Sequence, residues 1–224
     1  VVAGRSYCPK CKTQISWYDN IPIFSYLFIQ GKCRKCKKQI SIQYLLVEFL
    51  SILSFVAAYF FYGITVTTLL FIILALAFII IFFIDLKHFI IPNSLTFPLM
   101  FIGFVKSFDP NLNELFPNYI NSLIGGVFGY GIIWAIIFIY KILRNKEGMG
   151  LGDAKLLSAI GFWFGWIAIP FIMFLSSVIA LISVVPSLLK NSKTMSSQIP
   201  FGPYIILGTL VYLFFENSFK SLVF

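Results

Sequence analysis

Residues 65 to 84 read TVTTLLFIILALAFIIIFFI, twenty positions without a charge. No other feature limits the fold as strongly, because a helix crossing the ~30 Å hydrocarbon core of a bilayer needs ~20 apolar residues. Further apolar runs at 45–62, 90–106, 119–143, 153–168, 168–189 and 200–216 bring the expected number of spans to about seven. Those at 90–106, 153–168 and 200–216 are short or rich in Gly and Pro. The composition agrees: 59% of residues are hydrophobic and 11% charged, with a mean hydropathy of +0.93, where a globular domain is about a quarter charged. The expectation is an all-α polytopic membrane protein. A small N-terminal segment, 1–43, lies outside the bilayer, and a transmembrane domain occupies 44–224.

The net charge of +9 invites a nucleic-acid reading, but the distribution of the basic residues speaks against it. With residues 1–43 cytoplasmic and seven alternating spans, fifteen of the seventeen Lys and Arg fall on the cytoplasmic side, leaving Lys106 and Lys220 outside. That asymmetry is the positive-inside pattern of membrane proteins, with contact to anionic lipid as a secondary use. No basic patch interleaved with exposed aromatics marks a nucleic-acid partner. The chain begins at Val1 rather than Met and no apolar span precedes Cys8, so no secretory signal is read.

All four cysteines lie in the first 36 residues, as Cys8-x2-Cys11 and Cys33-x2-Cys36. They sit in an internal repeat, CPKCKTQIS at 8–16 and CRKCKKQIS at 33–41, identical at seven of nine positions. Two matching knuckles, each giving two thiolates, build a tetrahedral four-cysteine zinc site, which leaves no open position and therefore holds structure. Lys10, Lys12, Lys32, Lys35, Lys37, Lys38 and Arg34 surround them and favour thiolates. Disulfides are disfavoured in a reducing compartment, and a thioredoxin-like pair needs a βαβ context that is absent. Between the knuckles, WYDNIPIFSYLFIQGK at 17–32 reads as a metal-stapled loop whose aromatics meet the membrane interface.

Ionisable residues in membrane segments are expensive and point to function. Asp85 closes the second apolar run in FIIIFFIDLKHFIIPN, and Asp153 opens the fifth in GLGDAKLL. The charge-derived topology puts both at similar depth on one face. Two carboxylates that meet share a proton, so one can act as base on water while the other donates to a carbonyl oxygen. This is the chemistry of aspartyl proteolysis. Gly150 and Gly152 leave the approach to Asp153 without side chains, which suits an extended substrate backbone. The alternative is that the glycines serve helix packing while Asp153 caps a helix. Lys155 is placed to bias the pair, touch a substrate acid or anchor at the interface. His88, the one histidine, reads as interfacial, and Glu48 is placed to pair with the basic segment. IPFGPY at 199–204 reads as a broken helix or a substrate-facing turn.

Taken in order, CPKC, WYDNIPIFSYL, GKCRKC, LVE, IDLKHFIIPN, GMGLGDAKL and IPFGPY resemble the type IV prepilin peptidases. These are bifunctional leader peptidase/N-methyltransferases of the GxGD aspartyl protease class, and the resemblance covers about residues 6 to 204. It implies Asp85 and Asp153 as the catalytic pair, Gly150 and Gly152 as the GxGD glycines, and Cys8, Cys11, Cys33 and Cys36 as metal ligands. It implies cleavage of a basic leader from prepilin or pseudopilin precursors at the cytoplasmic face of the bacterial inner membrane, commonly between Gly and Phe. It also implies N-methylation of the product from S-adenosylmethionine, with Asp19, Gly31 and Lys32 as candidates for methyl transfer. Family members usually carry one more span before the cysteines, which would make eight. Asn93 stands where many have Asp after Ile-Pro, and reads as the N-cap of the next span. Two rivals explain less. An ion-coupled transporter binds near the midplane, whereas both acids sit at one face. A non-catalytic zinc module leaves Asp85 and Asp153 unused.

Overall fold

The computed structural model describes residues 7–8, 10–112, 116–144, 149–189 and 199–220. Gly148 and the basic residues Arg5, Lys146, Lys190 and Lys193, which enter the motif and charge arguments, lie outside the described residues. Within them the chain is helical, with two isolated β-bridges and no strand. It divides into two compact units, Val1–Ile79 and Ile80–Phe224.

In the first unit the sequence repeat becomes a structural repeat. Cys8 N–H bonds Thr13 O and Lys12 N–H bonds Cys8 O, both at 2.9 Å. Cys33 N–H bonds Lys38 O and Lys37 N–H bonds Cys33 O, again at 2.9 Å. Lys12 and Lys37 both take left-handed backbone, at φ 54° and 56°, and bridges Tyr7–Gln14 and Lys32–Gln39 close the two loops. A short helix, α1 (Phe24–Phe28), lies between them. Helix α2 (Ile42–Tyr62) starts where Ser41 accepts a bond from Gln43 N–H. Ala58 is the residue of α2 that is buried, so the helix presents its apolar surface outward, as a lipid-facing span does.

Helix α3 (Val66–His88) passes through the division between the units. The second unit continues with α4 (Asn93–Val105), α5 (Tyr119–Arg144), α6 (Leu151–Phe164), α7 (Ala168–Leu189) and α8 (Gly202–Lys220). Each expected apolar run is thus a helix. Among the described residues four segments, Ile42–Tyr62, Val66–His88, Tyr119–Arg144 and Ala168–Val185, are long and apolar enough to cross a membrane. By contrast α6 has 14 residues, about 21 Å at 1.5 Å per residue. Ten of those residues are buried, because α4, α5, α7 and α8 all pack on α6. Beyond its first turn it is apolar on nearly every side, as a core helix is.

Small residues make that packing possible. A Cβ on Gly125 or on Gly161 would collide with the other's backbone, and one on Gly129 would lie 2.7 Å from Leu157 O. Gly125 and Gly129 form a GxxxG face, which lets backbones approach in lipid. Hydroxyls then bond across the seam: Ser122 to Phe162 O at 2.7 Å and Ser158 to Gly126 O at 2.8 Å. Trp163 Nε1 donates to Leu99 O at 2.8 Å, tying α6 to α4. The core helix is therefore held from two sides, with its first turn carrying Asp153.

Candidate active site and metal centre

Asp85 lies in the last turn of α3 and Asp153 in the first turn of α6, and the fold brings them together. They are 4% and 8% exposed, and the charge of Asp85 bears on the Asp153 carboxylate. Burying two like acids is costly unless they share a proton and find donors. One donor is visible: Gly202 N–H, at the start of α8, bonds Asp85 Oδ2 at 3.0 Å. Asp153, the third residue of α6, takes a backbone hydrogen bond from Gly150 on its carboxylate, so it does help to close the helix start. The N-cap is Gly150, without a side-chain bond, and Asp153 N–H donates to Gly150 O at 3.2 Å.

The two glycines before Asp153 differ. A Cβ on Gly150 would meet only ordinary contacts at 3.8 Å, so the expected clear approach exists there. At Gly152 the space is taken, since a Cβ would lie 3.1 Å from Ile91 Cβ. Ile91 also reaches Gly202, where a Cβ would lie 3.0 Å from Ile91 Cδ1. One side chain thus wedges the start of α6 against the start of α8. Lys155 Nζ donates to Asn93 Oδ1 at 2.8 Å and lies 5.6 Å from the Phe97 ring, bracing α6 against the start of α4. Asn93 is therefore not the N-cap expected from the sequence: Pro92 occupies that position, and the Asn93 side chain serves Lys155. His88 ends α3 on the surface.

The four cysteines converge. Their sulfurs all lie within 4.8 Å of one another, with Cys8–Cys36 and Cys11–Cys33 at 3.9 Å. A tetrahedral zinc ion with ~2.3 Å bonds sets its sulfurs about 3.8 Å apart, so the donor set and its size fit that ion. The electrostatics fit as well. Hydrogen bonding to the Thr13 side chain and backbone brings the Cys11 thiol down to about 6. The backbone bonds of Cys36 and Lys35 lower Cys33. The Lys38 backbone bond pulls Cys36 down too, but burial and the other thiols push it up to about 11. Four crowded thiols cannot all ionise unaided, and a dication removes that conflict.

Between α1 and the start of α2, a cavity of about 480 Å³ is lined by Tyr26, Gln30, Gly31, Gln39 and Ser41 among others. Gly31 is its constrained point, with φ 64° and no room for a Cβ, which would lie 2.7 Å from Tyr26 Oη. Asp19 is elsewhere engaged, accepting Arg34 Nε at 2.9 and 2.8 Å. Lys32 stands in the bridge to Gln39 with its side chain exposed. Of the three methyl-transfer candidates, Gly31 lines the cavity. Glu48 accepts Ile23 N–H at 2.9 Å, a backbone partner in place of the basic segment. The sequence reading also missed Ile91 and the bond from Gly202; the Gly-Pro pair at the start of the last apolar run was the available signal.

These features define a multi-pass membrane protein with a buried carboxylate pair and a four-cysteine cluster placed to hold a metal ion. Residues 1–62 match the bacterial peptidase A24 N-terminal domain, and residues 72–185 match the type IV leader peptidase family. A prepilin leader peptidase/N-methyltransferase of Aeromonas salmonicida is 37% identical over 226 aligned positions, covering 97% of this chain and 74% of that one. Proteins with the same name from Pseudomonas aeruginosa and Neisseria gonorrhoeae are 35% and 36% identical, over 97% and 96% of this chain and 74% and 73% of theirs. No solved structure matches. The chain belongs to the type IV leader peptidase family.

Proposed function

We propose that this protein is a membrane-embedded aspartyl endopeptidase that removes the leader peptide from type IV prepilin-like precursors and methylates the new N-terminal residue. The observation that carries the reading is the burial of Asp85 and Asp153 together, with the charge of Asp85 bearing on Asp153, in a chain of the leader peptidase family. As a pair sharing one proton, one carboxylate takes a proton from water as the water oxygen attacks the scissile carbonyl carbon. The other gives its proton to the carbonyl oxygen. Collapse of the tetrahedral diol breaks the C–N bond, the amine leaves with a proton, and the pair returns to its one-proton state. Gly150 leaves room for the substrate backbone, Gly152 seats Ile91, and Lys155 holds the helix start that carries Asp153.

Residues 1–43 form the metal-binding segment and 44–224 the peptidase domain in this reading. Zinc held by Cys8, Cys11, Cys33 and Cys36 fixes the fold of the segment. The cavity at Gly31 supports a site for S-adenosylmethionine, whose sulfonium supplies an electrophilic methyl group. Gln30, Gln39, Ser41 and Tyr26 offer amide and hydroxyl groups to a nucleoside there. Asp19 and Lys32 would act from outside that cavity, Asp19 through Arg34. Seven spans in the bacterial inner membrane, with the cysteine segment and both aspartates on the cytoplasmic side, account for the placement of the basic residues.

The test is mass spectrometry of a prepilin-type substrate co-expressed with the wild type, Asp85→Asn or Asp153→Asn. Loss of the leader with the wild type alone supports the peptidase, and one added methyl on the product supports the second activity. Cleavage by either variant, at the wild-type rate, removes the pair from the chemistry.

A further inference from the structure

The first turn of α8 is built to spare one backbone donor. Of its first four residues, Pro203 has no N–H, and Tyr204 and Ile205 both donate to Phe201 O, at 3.0 and 3.1 Å. Only the Gly202 N–H points out of the helix, and Asp85 Oδ2 receives it. Residue 202 is also held to glycine from two sides: a Cβ would lie 2.7 Å from Asp85 Oδ2 and 3.0 Å from Ile91 Cδ1. Ile91 also fills the space beside Gly152, where an added Cβ would lie 3.1 Å from its Cβ, so the one side chain closes on both glycines.

We propose that Gly202 is a positioning residue for the cleavage reaction, its amide holding Asp85 Oδ2 so that Oδ1 is the oxygen presented to water and to Asp153. This rests on the peptidase reading above. A carboxyl group in a cavity has two oxygens and a free torsion, and proton transfer needs one of them aimed to within a few tenths of an ångström. The Gly202 donor removes that freedom, while Ile91 fixes the spacing between the helix starts that carry the donor and Asp153. The start of the last span is thereby a wall of the site and not a turn that faces the substrate.

Purified full-length protein in detergent micelles, assayed on a prepilin-type peptide, gives the test. Gly202→Ala is expected to lower kcat at least a hundredfold with KM within threefold of wild type. Gly208→Ala is the packing control on the same helix, since its Cβ would lie 2.5 Å from Ser176 Oγ, away from the acids. It is expected to lower the melting temperature while kcat stays within threefold. Should Gly202→Ala fail to accumulate, the Ile91→Ala/Gly202→Ala double variant relieves the clash with Ile91, leaves that with Asp85, and is read in the same way against Ile91→Ala. The proposal is overturned by wild-type kcat in Gly202→Ala, by a loss confined to KM, or by an equal loss of kcat in Gly208→Ala. Asp85→Asn run in parallel separates the two claims: its continued activity would sink the peptidase reading itself, whereas an inactive Asp85→Asn beside a normal Gly202→Ala would sink the positioning role alone.

Discussion

The side-chain amine of Lys106 donates to the carbonyl of Trp163 at 3.1 Å, and it lies 3.8 Å above the Phe116 ring. Lys106 is 6% exposed, so its amine is buried and is satisfied by the Trp163 carbonyl. Trp163 stands in the last turn of α6, where carbonyls have no helical donor. A lysine read from the sequence as the sparse charge of the far membrane side is thus the lock on the C-terminal end of the core helix.

Lys106→Met keeps the stem and removes the donor, leaving the Trp163 carbonyl buried and the aromatic face without its partner. The expected loss is about 2–3 kcal/mol of stability. Asp153 sits ten residues earlier on α6, about 15 Å away along the axis. Leader cleavage per folded molecule should therefore stay within a few-fold of wild type. Thermal unfolding in detergent and the cleavage rate together check this; a stable but inactive variant would mean that the far end of α6 controls the site.

The seam between α5 and α6 predicts a sharper contrast. An alanine at Gly161 would drive its methyl into the Gly125 backbone, which cannot turn aside as a side chain can. Overpacking of this kind costs about 3 kcal/mol, at the upper end of such changes. Gly131, also in α5, has nothing within 4 Å of its added Cβ, so Gly131→Ala should be neutral or add about 0.5–1 kcal/mol through helix propensity. Equal melting shifts for the two variants would contradict the packing described here.

What the sequence made legible follows from the range of the forces involved. Apolarity sets the spans locally, so α5 and α7 end within a residue of their expected bounds, 119–144 against 119–143 and 168–189 in both. The cysteine centre was legible because its two halves repeat. The role of α6 was not, since a lipid-facing span and a core helix are both apolar, and only its 14-residue length distinguishes them. The bond from Gly202 to Asp85 joins residues 117 positions apart, which no spacing rule reaches. Asn93 was misplaced as a cap because Pro92, one residue earlier, already supplies the extended backbone that a cap requires.

The thiol centre should bind metal in competition with protons. At pH 7 Cys36, held up at about 11, carries a proton that must leave when the metal binds. Cys11, held down at about 6, is mostly thiolate at that pH and adds its own proton to the competition only below it. Zinc affinity is expected to fall at least tenfold per pH unit from 8 to 7, and more steeply below about 6. Competition with a chromophoric chelator at pH 5.5, 7 and 8 measures the slope, and a flat profile would exclude four-thiolate binding. Cys33→Ser should remove the metal and raise hydrogen exchange across residues 7–41.

Glu48 gives the last test, because its partner is a strained backbone. Ile23 takes φ 63° and ψ −54°, a strained γ-turn closed by Phe24 N–H to Pro22 O at 2.6 Å, which costs about 1–3 kcal/mol. It precedes α1, and its N–H bonds Glu48 Oε2 at 2.9 Å. A charge-assisted bond of this kind contributes about 1.5–3 kcal/mol, enough to offset the strain. Glu48→Ala removes the acceptor and should let residues 21–28 relax, with amide exchange there at least tenfold faster. Glu48→Gln retains a carbonyl oxygen at the same reach and should recover most of the protection. Zinc content should be unchanged in both, since the knuckles close through their own backbone bonds. Loss of zinc in Glu48→Ala would show instead that the bond from α2 to Ile23 supports the metal centre.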